Sequence, residues 1–156
     1  MISAPGRAAL ALVVLLAACE QAPAPPFKPA VTTKQLMAEV IVPAADVYWG
    51  AVGTVTDKNG TVETAPTTDD GWNAVRSAAT TVAESGNLLM IAPRARNRDE
   101  WMTLARGLVE AGERARAAAE SRTAKAVFDA GADVYQACVN CHAIYLVGDK
   151  ALPPRP

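Results

Sequence analysis

The chain has 156 residues, a formal net charge of −1 and a composition that is 51 % apolar but only 5 % aromatic. That length supports one domain with one core. The near-zero charge offers no electrostatic footprint for DNA or RNA, so nucleic acid is excluded from the expected partners.

Residues 1–18 read as an export signal rather than as part of the fold. Arg7 supplies a positive start, and the apolar run from Ala8 to Ala18 is followed by Cys19. A membrane span needs roughly 20 apolar residues, and this run is about half that. Small residues directly before a Cys resemble the lipobox of bacterial lipoproteins, which implies cleavage before Cys19 and lipidation of its thiol. Glu20 rather than Asp in the next position fits sorting to the outer membrane. Residues 19–31 are rich in Pro and Ala and are expected to form an extended tether, lifting a domain roughly 30 Å off the membrane.

The domain proper is expected over residues 32–148, with 149–156 as a tail. A first helix should start at a Thr32 or Thr33 cap and run to about Gly50. Met37, Val40, Ala44, Val47 and Ala51 form its apolar face, and Pro43 should kink it. Residues 54–63 alternate β-branched side chains about Asn59-Gly60, a hairpin signal. Thr67-Thr68-Asp69-Asp70 then provides a cap and an acidic first turn for a second helix, with Trp72, Val75, Ala79, Val82 and Leu89 inward and a break expected at Gly86-Asn87. An Arg-rich loop after Pro93 ends it. A third helix spans about Asp99 to Glu120, with Trp101, Leu104, Leu108, Ala111, Ala115 and Ala118 inward. The fourth runs from about Thr123 to Val147, capped by Gly148, with Val127, Ala130, Val134, Cys138, Cys141 and Tyr145 inward. Long helices joined by short connections predict an all-α antiparallel four-helix bundle.

The residues with chemistry lie in that last helix. Cys138-Val139-Asn140-Cys141-His142 is a Cys-x-x-Cys-His run, the attachment sequence for c-type haem. Positions i, i+3 and i+4 share a helix face, so two thiols can bond the macrocycle while the imidazole turns to the iron. A thioredoxin-like pair would need a βαβ setting. Structural zinc needs four ligands, and the chain has one His and, besides Cys19, two Cys. A plain disulfide is the remaining rival. Lipid on Cys19 and haem on Cys138 and Cys141 would leave no thiol free in an oxidising compartment.

His142, as the only His, is the expected proximal iron ligand, which excludes bis-His ligation within one chain. The sixth position is open among Met37, Met90, Met102 or no ligand. A thioether raises the iron's potential and suits electron transfer; a vacant position suits binding of NO or CO. Arg94, Arg96, Arg98 and Arg106 are candidate contacts for haem propionates or an acidic redox partner, against the simpler reading of a solvated loop. Trp49, Trp72 and Trp101 are expected in the core or on the haem pocket. Asp129 and Asp133, one turn apart, are read as surface.

The chain resembles the class II cytochromes c, cytochrome c-prime and its low-spin, Met-ligated relatives. The resemblance covers roughly residues 32–147. It rests on a haem attachment site near the C-terminus, four helices, Tyr135-Gln136-Ala137 leading into the site and an aromatic, Tyr145, three residues past His142. In the low-spin members a Met early in the first helix is the sixth ligand, in a context similar to Lys34-Gln35-Leu36-Met37, which implies Met37 here. Leu146, where the family commonly has a basic residue, departs from the pattern, as do Pro43 and the insert at residues 53–65. The resemblance implies a periplasmic, membrane-tethered electron carrier with one covalent haem c, not an enzyme. Redox proteins are its partners and a homodimer its expected assembly. The alternatives are a five-coordinate haem protein for gas sensing or scavenging, and a subunit of a larger oxidoreductase.

Overall fold

The computed structural model describes residues 27–146. The signal segment, Cys19 and the residues beyond Leu146, Gly148 included, lie outside the described residues. Among the described residues the chain is mostly helical, with four helices and little strand, compatible with the all-α class.

The first helix is continuous but not uniform. It comprises α1 (Thr33–Leu36), a π-helical segment (Met37–Ile41) and α2 (Val42–Gly50). Thr32 caps it: its hydroxyl accepts from the Gln35 amide while the Gln35 side chain accepts from the Thr32 amide, a reciprocal capping box. Pro43 explains the π segment. Proline has no N–H to give to the carbonyl of Glu39, and its ring crowds that carbonyl. The chain answers with a wider turn, in which the Val42 amide reaches back five residues to the Met37 carbonyl. This corrects the expected apolar face. The buried residues are Leu36, Ile41, Ala45 and Tyr48, whereas Val47 is 51 % exposed and Met37, Val40 and Ala44 are only partly buried. Leu36 and Ile41 are five apart, a spacing that would put them roughly 140° apart on a uniform α-helix.

The hairpin pairs β1 (Gly53–Asp57) with β2 (Gly60–Thr64) antiparallel, Asp57 opposite Gly60. The Asp57 carboxylate accepts from the Asn59 amide at 2.7 Å. Gly60 takes φ +126°, a value that disfavours any side chain, and so closes the turn. Both strands are almost wholly exposed.

α3 (Asp69–Met90) is capped by the Thr68 hydroxyl and buries the predicted Trp72, Val75, Ala79, Val82 and Leu89. It does not break at Gly86-Asn87. Gly86 is instead a site of close approach: a Cβ there would lie 2.6 Å from Val109 Cγ2 and 2.7 Å from the Ala105 carbonyl of α4 (Glu100–Glu120). Gly112 makes the reciprocal approach, a Cβ there falling 2.6 Å from the Ala83 backbone. Absent side chains let the two helices draw together.

α4 packs on both α3 and α5 (Ala124–Tyr145), and α2 packs on α3. Three hydrogen bonds tie the elements across the core. Tyr48 donates to the Ala115 carbonyl (3.2 Å), Trp49 to that of Gly131 (2.9 Å), and Trp101 to that of Leu89 (2.8 Å). The last four carbonyls of a helix lack intrahelical partners, and two of these in α3 are met from outside, Leu89 by Trp101 and Leu88 by Arg94. Arg94 is therefore not a solvated loop residue. It is 7 % exposed and also donates to the Val31 carbonyl, clamping the start of the first helix to the end of α3. Asp129 and Asp133 are exposed and paired with Lys125 and Arg114.

Candidate haem site

α5 is regular through its last three turns and ends at Tyr145. Cys138, Cys141 and His142 therefore share one face. All three are partly buried and line a single cavity of about 420 Å³, within the usual range for small-molecule and cofactor sites. Both cysteines are free thiols.

The rest of the cavity is built by the other helices. The π segment contributes Met37 and Ile41, and α2 contributes Ala45, Asp46 and Trp49. Leu89 enters from α3, and Trp101, Leu104, Ala105 and Leu108 from α4. Met37 thus joins the three motif residues at one cavity. Met90 and Met102 pack partly buried against the core and are not among its lining residues. Trp49 and Trp101 wall the cavity, while Trp72 sits in the core.

Burial raises both thiols above their ordinary range; Cys141 reinforces this at Cys138, and the Arg96 charge opposes it at Cys141. At neutral pH both groups are protonated. Burial also lowers the His142 pKa, which favours the neutral imidazole, the form that can ligate a metal.

Asn97 holds the end of α5. Its amide donates to the Tyr145 hydroxyl at 2.6 Å, and its side-chain oxygen accepts from the Trp101 amide at 3.0 Å. Tyr145 also meets Trp101 edge-on, ring centroids 4.9 Å apart. The turn after His142 is thereby joined to the start of α4. Sequence reading missed Asn97, although an Asn three residues before a helix start is a local hydrogen-bonding signal that could have marked it.

The residues fit a flat, mostly apolar macrocycle that brings its own metal donors. Two thiols and one imidazole stand on one wall, aliphatic and indole surfaces form the others, and a thioether is within the same cavity. Among the described residues no group of three or more His, Cys, Asp or Glu side chains is placed to hold a bare metal ion. No family model matches the chain, and neither does any curated protein or solved structure.

Proposed function

We propose that the chain is a c-type cytochrome of class II character, a one-electron carrier rather than an enzyme, with its helices arranged as an antiparallel four-helix bundle. The observation that carries this reading is the convergence of Cys138, Cys141, His142 and Met37 on one cavity. A haem c supplies reversible one-electron chemistry when bound. Cys138 and Cys141 would hold it covalently through their sulfurs. His142 and Met37 would be the residues that ligate its iron. The aliphatic and indole walls limit water at the site and so help set the potential.

The proposed setting is the periplasm, with a lipid on Cys19, a tether over residues 19–31 and redox proteins as partners. In that setting haem attachment would leave neither thiol free, as would a disulfide between them; His142 beside the pair, on the same cavity, favours the haem.

An optical spectrum of protein matured in a cytochrome-competent host tests the carrier reading. Low-spin bands with a sulfur-to-iron charge-transfer feature are expected. A high-spin spectrum with ready CO uptake would overturn it and select the gas-binding alternative.

A further inference from the structure

We propose that Arg96 is the cation that pairs with the carboxylates at the edge of the bound macrocycle, an inference that rests on the haem reading above. A haem brings two carboxylates, and they need positive charge or water. The cavity wall offers neither kind of cation: apart from His142, its charged lining residue among those described is Asp46, of the wrong sign. A counter-charge from the protein therefore has to stand outside these lining residues.

Four arginines were candidates; Arg98 is exposed and is not among the cavity's lining residues, and the other three are told apart by their contacts. Arg94 spends its guanidinium on the Val31 and Leu88 carbonyls. Arg106 donates to the Thr103 hydroxyl on its own helix. Arg96 lies over the indole of Trp101, 5.8 Å from the ring centroid, and Trp101 is itself a wall of the cavity. Arg96 is exposed and has no carboxylate partner among the described residues, so its charge is available. The platform beneath it is firm, since Trp101 is buried and pinned by its bond to the Leu89 carbonyl and its contact with Tyr145. Placed there, the guanidinium is exposed beside a residue that walls the cavity, where a carboxylate can stay half in water.

The test compares haem-loaded wild type, Arg96→Gln, Arg96→Lys and, as a control far along α3, Arg76→Gln. Removing the cation leaves carboxylate charge that favours ferric iron. At one fixed solution potential the ferrous-to-ferric ratio of Arg96→Gln is expected to fall about three- to tenfold. The resonance Raman band of the propionates is expected to move with it. Arg96→Lys should restore most of the ratio, and Arg76→Gln should leave both readouts in place. Haem-loaded Arg96→Gln with an unmoved ratio and propionate band overturns this proposal alone, as does an equal shift in Arg76→Gln. Wild type lacking covalent haem overturns this proposal together with the reading beneath it.

Discussion

Met37 and His142 line the same cavity although they lie near opposite ends of the described chain. The first sits on the π segment and the second on the last turn of α5, so the proposed ligand pair depends on how the first and last helices meet. Replacing Met37 with Ala is expected to abolish the sulfur-to-iron charge-transfer band and lower the reduction potential, with the protein still folded and haem-loaded. Met90→Ala should keep the band, because Met90 faces the core and not the cavity. Absorbance spectra of the two variants check this directly.

The π segment makes a second, sharper prediction. Pro43→Ala returns an amide that can bond the Glu39 carbonyl, allowing the wide turn to relax to an α-helix. Losing one residue from the turn rotates what precedes it by roughly 100°, which carries Met37 away from its position among the cavity walls. The variant should keep its helical circular dichroism yet lose the thioether band.

Two glycines of α4 are expected to respond with opposite signs. Gly112→Ala drives a Cβ to 2.6 Å from the Ala83 backbone, and a helix backbone cannot swing aside as a side-chain tip can. A cost of about 2 kcal/mol is expected, as for overpacked cores. A Cβ at Gly107 meets nothing within 4 Å, so Gly107→Ala should stabilise by about 0.5–1 kcal/mol through helix propensity and reduced unfolded-state freedom. Thermal melts of the two variants measure both.

Tyr48 predicts an alkaline transition. Its phenol is buried and its pKa is pushed up to about 12 from 10 by loss of hydration. Below pH 10 both folded and unfolded chains hold the proton, so stability is unaffected. Between about pH 10 and pH 12 the unfolded chain releases it first, and stability falls. Tyr48→Phe should cost about 1 kcal/mol at neutral pH, for the lost bond to Ala115. It should also remove the Tyr48 part of the alkaline fall, measured by denaturant unfolding across that range.

What could be read in the residues followed from how local the controlling physics is. The Cys138 to His142 motif is contiguous, and a regular helix converts its spacing into a shared face without further information. The buried face of α3 was legible for the same reason. The first helix was not, because one proline widened a turn and moved the core from Met37, Ala44 and Val47 to Leu36, Ile41 and Ala45. Gly86 looked like a breaker, since its role as a contact surface exists only opposite Ala105 and Val109. Arg94 looked like solvent-facing charge, and only the tertiary placement of the Val31 and Leu88 carbonyls makes burying it tolerable. The motif pointed to the proposed haem; the walls of the cavity beside it come from three other helices whose meeting no local pattern encodes.

The most direct measurement is the intact mass of the protein, purified from a host competent in cytochrome c maturation and run under conditions that strip any non-covalent porphyrin. The account predicts an added mass of one haem, located by peptide mapping to the segment holding Cys138 and Cys141 and lost in the Cys138→Ser, Cys141→Ser double variant. Bare polypeptide with both thiols open to alkylation would contradict it.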